Sequence, residues 1–404
     1  MGRVVDFRIW DAVLAVAASA VSLLVLGMYV HFGFGTLGVV AMGSTNVHVD
    51  FDTFWRSAGA LWTGGDIYEA GGRVYNLNPP FWTVLFSPLG LLEPMIAYRM
   101  FVLITLLTSV GYLAWTASEL KLQAGWAVVG VAMLLLSTPL QTTISIGQIY
   151  PFLALGLVAA WVADRHEKPV IAGLALGVVV AVKPSLAPVV FWPLLRRRWR
   201  MLGAALAAGV AVTLVGVVVA GAGTTLEWMR LLASMGLDGT WYNASLPGAA
   251  SRLFMENKYV VPQATLPWAI AAARGLGIVL LFFTAWKVRW DRELGLWGLV
   301  AASLLASPVA WYDYLVLLGP GILVLLAQGR VALALVLLTL QAIPAQWVLL
   351  WQGEKTVVAT LALTLYLYIL VAHWLTLLLS ARKEPAHAPE PVLEEAKLAL
   401  GVGK

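Results

Sequence analysis

The chain contains no cysteine, and only 12% of its 404 residues carry charge. The first absence excludes disulfides, thiol chemistry and cysteine-based metal sites. The second excludes an ordinary soluble domain, in which about a quarter of residues are charged. Histidine is scarce as well: there are five, none at metal-ligand spacing, and no glycine-rich phosphate loop accompanies them. No metal or cofactor is therefore expected. The net charge of +5 is too small and too scattered to indicate a nucleic-acid partner. What remains is apolar. With 61% hydrophobic residues and a mean hydropathy of +0.85, the solvent for this protein is mostly lipid.

Apolar stretches recur at 11–33, 95–116, 124–140, 149–163, 169–182, 185–195, 201–222, 265–286, 294–308, 309–327, 331–351 and 356–381. A backbone in hydrocarbon must satisfy its own hydrogen bonds, so these read as helices. Asp11 to Phe32 is too long and too weakly flanked for a cleaved signal peptide and reads as a retained first span. The basic clusters at 164–168, 196–200, 287–293 and 381–383 orient the set, because Lys and Arg stay on the cytoplasmic side. The expectation is an all-α polytopic membrane protein of about twelve transmembrane helices, one domain over 1–383, with a cytoplasmic tail at 384–404. The segment 79–92 is short and interrupted by three prolines, so it reads as a half-span packed against protein. Large exterior loops then fall at 34–94 and 223–262, with shorter exterior turns at 141–148, 183–184, 307–312 and 352–355. The polar residues that need explaining gather on that side.

The first exterior loop crowds Asp50, Asp52, Arg56, Asp66, Glu69 and Arg73 together with two tryptophans, Tyr68 and Tyr75. Phe51, Phe54, Trp55, Ala58, Leu61 and Trp62 recur at helical spacing, predicting an amphipathic helix over 51–62. Asp50 stands at its first turn, either as an N-cap or as a catalytic base on a stiff mount. Asp52, the reserve candidate, has Arg56 four residues on. Lys183 ends an apolar helix on the exterior side, either snorkelling to the interface or capturing a lipid phosphate, and Pro184 breaks the helix there. Gln148 can bond sugar hydroxyls or a neighbouring helix. Asn243 and Ser245 form a sequon on the second exterior loop. Trp311 and Asp313 begin another apolar span, where a carboxylate needs a partner or a cavity.

The motifs "VDFDTFWRSAGALWTGGDIYEA", "SIGQIYPF", "VVVAVKPSLAP", "NASLPG" and "SPVAWYDYLVLLGP" occur in order between about residue 49 and 320. Together they resemble glycosyltransferase family 87, polyprenol-phosphate-mannose-dependent α-mannosyltransferases of the GT-C superfamily. The resemblance implies Asp50 as general base and Lys183 in the Lys-Pro element that would hold donor phosphate. Its motifs also cover Gln148, Asn243 and Trp311, which, with Tyr68 of the first exterior loop and the carboxylate candidate Asp313, are the candidate substrate-binding residues. One departure stands out: family members often carry histidines after the tryptophan matching Trp311, whereas this chain has Asp313 and Tyr314, so the sugar and acceptor stay open. The implied function is a metal-independent, inverting transfer of a sugar, mannose by family analogy, to a glycolipid or glycan acceptor. It would take place in the cell membrane, facing the extracytoplasmic side, with donor and membrane lipids as partners. The rivals are a lipid-linked-sugar flippase, which would show internal repeats, and a polysaccharide polymerase or ligase.

Overall fold

The computed structural model describes residues 47–236, 239–257, 259, 260, 262, 264–351, 354 and 356–382. The expected first span at 11–33 and the tail at 384–404 lie outside the described residues. Among those described, the chain is helical throughout, without a strand; the only pairing of extended backbone is an isolated bridge between Asn243 and Trp311.

In chain order the α-helices are α1 (Val49–Thr63), α2 (Pro80–Phe86), α3 (Pro94–Glu119), α4 (Ala124–Leu135), α5 (Thr138–Ile146) and α6 (Tyr150–Arg165). They continue as α7 (Pro169–Val182), α8 (Phe191–Leu195), α9 (Trp199–Ala220), α10 (Ala222–Ser234), α11 (Leu246–Phe254) and α12 (Trp268–Val288). The last are α13 (Gly295–Ala306), α14 (Gly319–Ala327), α15 (Val331–Gln341), α16 (Val357–Ala362) and α17 (Leu365–Ser380). Tight 3-10 turns lie at Ser87–Leu91, Pro184–Val190, Tyr312–Leu318 and Ala345–Leu350.

Helices form where apolar stretches were expected, but their lengths differ. Three of the described helices, α3, α9 and α12, are long and apolar enough to cross a membrane, or four spans if the bent pair α4–α5 is one. The expectation of about twelve full spans is not reached among the described residues. Proline explains much of the shortening, since it removes an N–H and clashes with the preceding turn. Pro139 starts a new helix 50° off α4, so most of 141–148, read from sequence as a turn, is helical. Pro184 ends α7, and Pro344 separates α15 from the 3-10 turn after it. The segment 79–92 is a 12-residue apolar helix, α2 with its 3-10 continuation, lying against α9. Gly216 permits the approach: a Cβ there would meet Phe81 N at 2.9 Å. The segment 223–262, expected as a large exterior loop, holds most of α10 and all of α11.

The charged clusters meet at one end of the molecule. Arg165 Nε donates to Glu119 at 3.0 Å and Nη1 to Glu293; Arg196 donates to Asp164 at 2.9 Å. Arg198 and Arg292 both donate to Glu167, and the Arg382 amide to Asp291 at 2.6 Å. Segments 164–168, 196–200, 287–293 and 381–382 are thereby tied side by side. The Arg198 and Arg292 guanidiniums hold the Glu167 carboxyl down at about 2. Helix α6 runs from this end to Tyr150, about 24 Å away for its 16 residues. At that opposite end lies a cavity.

Candidate active site

The cavity encloses about 750 Å³ and is walled by α1, the loop before α2, the turn between α5 and α6, Lys183, the segment after residue 234, and the start of the 3-10 turn at Tyr312. Its polar lining includes Asp50, Gln148, Lys183 and Asp313, residues separated by up to 263 positions in sequence.

The mount for Asp50 is an aromatic core. Phe51, fully buried, packs against Phe86, Tyr98 and Phe101 with ring centroids 5.5, 5.0 and 5.7 Å away. Phe54 packs on Trp82 and Phe86. Such pairs add about 0.5–1.5 kcal/mol each beyond the burial of their area. One face of α1 is thus fixed to α2 and α3, and its N-terminus is aimed at the cavity. His48, rather than Asp50, caps this helix: its Nδ1 accepts from the Asp50 amide at 3.3 Å. Burial holds the His48 imidazole below its ordinary pKa, although the nearby Asp50 charge pulls upward. A neutral ring with an unprotonated Nδ1 is what an accepting cap requires.

Relieved of capping, the Asp50 carboxylate turns to Gln148. Gln148 Nε2 donates to Oδ2 at 2.7 Å, while Oδ1 lies 3.9 Å from His48 Nδ1. Gly147 makes this pairing possible. Its φ of +79° suits glycine, and a Cβ would stand 2.8 Å from that of Phe51. The turn can therefore press against α1 and deliver the amide.

Lys183, half-buried, projects over two tyrosine rings, 5.6 Å from the centroid of Tyr150 and 5.0 Å from that of Tyr314. The rings themselves lie 4.3 Å apart. Ring quadrupoles steady a cation without cancelling its charge. Asp313 is buried, and its backbone carbonyl accepts from Thr143 at 3.4 Å. Trp311 also lines the cavity, as do Tyr242 and Tyr312, whose rings stack on each other with centroids 5.9 Å apart and pack on Trp241. Burial, with smaller effects of Tyr259 and Asp50, raises the Tyr242 pKa, so its hydroxyl keeps its proton.

Three of the sequence candidates do not line the cavity. Asn243 is fully buried behind it, where its Oδ1 accepts from the amides of Ser245 and Ala310, both at 3.1 Å. Ala244 N donates to Ala310 O and Tyr312 N to Tyr242 O, so this element clamps the segments around 243 and 310 together and sets Tyr242 and Trp311 in place. Tyr68 is buried against Asn78, whose carbonyl accepts from its hydroxyl at 3.0 Å, and it is Asn78 that lines the cavity. Asp52 accepts from Arg56 Nε at 2.8 Å and is likewise absent from the lining. Conversely, Arg73, Tyr150 and Tyr242 line the cavity without having been singled out from sequence.

A carboxylate and an ammonium over two tyrosine rings sharing one cavity at the end of a bundle of apolar helices suit transfer of a group from a lipid-borne phosphate. The chain belongs to glycosyltransferase family 87, whose family model matches residues 76–308, a stretch that begins after α1. The protein is accordingly a glycosyltransferase. It is 28% identical over 315 residues to a polyprenol-phosphate-mannose-dependent α-(1-2)-phosphatidylinositol pentamannoside mannosyltransferase of Mycolicibacterium smegmatis, covering 70% of this chain and 74% of that one. It is also similar to an α-(1->3)-arabinofuranosyltransferase of Corynebacterium glutamicum, 27% identical over 50% of this chain and 49% of the relative. Among solved structures, ArnT from Cupriavidus metallidurans bound to undecaprenyl phosphate aligns over 91% of this chain and 76% of its own, with 15% identity and a TM-score of 0.40.

Proposed function

We propose that the protein transfers mannose from a polyprenyl-phosphate donor to a glycolipid or glycan acceptor at the extracytoplasmic face of the cell membrane, inverting the anomeric carbon. The observation that carries this reading is the convergence of Asp50, held by Gln148 at 2.7 Å, and Lys183 on one cavity. Donor class and sugar are supported by the mannosyltransferase relatives. The extracytoplasmic side is supported by the gathering of basic clusters at the opposite end, since cytoplasmic loops carry the excess of Lys and Arg.

In this scheme Gln148 occupies Asp50 Oδ2 and leaves Oδ1 to accept the proton of the acceptor hydroxyl. The acceptor oxygen bonds to the anomeric carbon as the bond from that carbon to the phosphate oxygen breaks. The electron pair stays with the departing polyprenyl phosphate, whose charge is met by Lys183 and by Arg73, exposed at the cavity wall. Tyr150 and Tyr314 keep the ammonium in position during loading and release. Asp313 and the rings of Tyr242 and Trp311 supply polar and stacking contacts for sugar rings.

Purified protein reconstituted with radiolabelled polyprenyl-phosphate-mannose and a glycolipid acceptor should form labelled product. Movement of intact donor across the bilayer without covalent transfer would refute the reading.

A further inference from the structure

We propose that His48 is a positioning residue that gates Asp50: as a neutral ring it caps α1 and leaves Asp50 Oδ1 open, and as a cation it closes on that oxygen and stops transfer. The inference rests on the reading of Asp50 as the base. Its geometric ground is that one nitrogen stands near two opposite partners. His48 Nδ1 lies 3.3 Å from the Asp50 amide, which donates to it, and 3.9 Å from Asp50 Oδ1. An imidazole nitrogen offers either a lone pair or a proton, never both. Unprotonated, Nδ1 can serve only the amide. Protonated, it can serve only the carboxylate.

The ring is held where this choice matters. His48 is half-buried, lines the cavity and stands immediately before α1, with extended backbone at φ −66° and ψ 145°. Its carbonyl accepts from the Asp52 amide at 2.9 Å, so backbone and side chain are both tied to the first turn of a helix anchored by Phe51 and Phe54. Closing the 3.9 Å gap to a charge-assisted bond of about 2.8 Å takes only a small tilt of the ring. Gln148 already donates to Oδ2 at 2.7 Å, so that tilt gives both carboxylate oxygens a protein donor and leaves neither for the acceptor hydroxyl. The proton comes from solvent and returns to it. Among the described residues, the charges facing the same space are Arg73 from the loop before α2, Lys183 after α7 and Asp313 from the 3-10 turn, while Asp52 of α1 is paired with Arg56. Burial is the larger influence on the ring and holds it below its ordinary 6.5, against the upward pull of Asp50. The sign follows: transfer is full above the pKa of the ring and lost as pH falls through it.

His48→Asn separates the two duties, because its Oδ1 stands in for Nδ1 as a cap but takes up no proton. His48→Ala removes both. In reconstituted full-length protein, kcat/KM for a polyprenyl-phosphate-mannose donor is measured against pH, and each profile is normalised to its own plateau. Wild type should show an acid limb, and one pH unit below its midpoint His48→Asn should retain about tenfold more of its plateau than wild type does. His48→Ala should lose the limb too, with a lower absolute plateau and melting temperature than His48→Asn. Equal plateaus and melting temperatures for the two variants overturn the capping half of the proposal. A limb that stays at the same pH in His48→Asn, or a wild-type profile without one, overturns the gate. As an independent measurement, NMR of nitrogen-labelled histidine, with the His48 signal assigned by its absence in His48→Asn, should show an unprotonated Nδ1 on the plateau and a titration midpoint matching the kinetic limb. A ring protonated on the plateau, or a midpoint elsewhere, overturns the gate as well. Absence of wild-type transfer at every pH, or full transfer by Asp50→Asn, would instead sink the reading of the cavity on which the gate depends.

Discussion

Asp50→Asn isolates the proposed proton transfer from almost everything else. The amide matches the carboxyl in shape, so packing of α1 on its aromatic core is untouched and the contact to Gln148 can persist as a neutral bond. Exchanging a charged for a neutral hydrogen bond costs about 1 kcal/mol. Removing a negative charge from the first turn of α1 costs roughly another 0.3–1 kcal/mol. Against a typical stability of about 5–15 kcal/mol, the variant stays folded. Loss of a positioned base, by contrast, removes about 10²–10⁴-fold in rate, which at 1.36 kcal/mol per decade is roughly 3–5 kcal/mol of barrier. The two effects therefore separate cleanly in a reconstituted assay at saturating donor. Turnover should fall at least a hundredfold while protein yield and melting temperature change little. Transfer by Asp50→Asn within threefold of wild type would refute the base assignment, and loss of turnover in proportion to loss of folded protein would refute the reasoning on stability.

Lys183→Ala should raise the KM for donor roughly 10–100-fold, the equivalent of one charge-assisted bond, and Lys183→Arg should restore only part of the loss because a planar fork fits the tyrosine cage differently. Asn243→Ala leaves the buried amides of Ser245 and Ala310 without their acceptor, at about 1–3 kcal/mol each; the melting temperature in detergent should drop, and an unchanged one contradicts the clamp. Asp52→Asn removes only a surface pair with Arg56, so transfer should stay within about twofold of wild type in the same assay. Glu167, depressed to about 2 from an ordinary 4.5, contributes stability that is full above 4.5 and lost as pH falls toward 2. Melting curves of Glu167→Gln should accordingly differ from wild type at neutral pH and converge with it in acid.

Helix positions were legible because a long apolar stretch in lipid has little choice of backbone. Helix lengths were not, because composition weights Pro139, Pro184 and Pro344 as single residues, whereas each resets the direction or the pitch of the chain. The cavity acids and the lysine were visible as charges in unfavourable company. Their partners were less so: Gln148 could equally have served a sugar or a helix, and only the left-handed turn at Gly147 shows that it meets Asp50. His48 was overlooked as the cap since a short acidic side chain is the commoner choice at that position. Asn243 read as a surface sequon, but its neighbours Leu246 to Phe254 form a helix that draws it inside. A signal for that helix was present in Ser245 followed by Pro247, an N-cap with proline just inside the first turn. Tyr150 went unnoticed, and Tyr314 was noted only as a departure from the family pattern, because an aromatic at the end of an apolar run resembles any interfacial anchor.

The crosslinked carboxylates and guanidiniums at the basic end have a mechanical corollary. Prising apart the helices that carry Asp164, Glu167, Arg196 and Arg292 would break several ion pairs at once, so that end behaves as the hinge pin of a pair of tweezers. Whatever breathing admits a bulky lipid-borne sugar and lets the spent carrier go has to be taken up at the tips, around α1, the loop before α2 and the segment after α10.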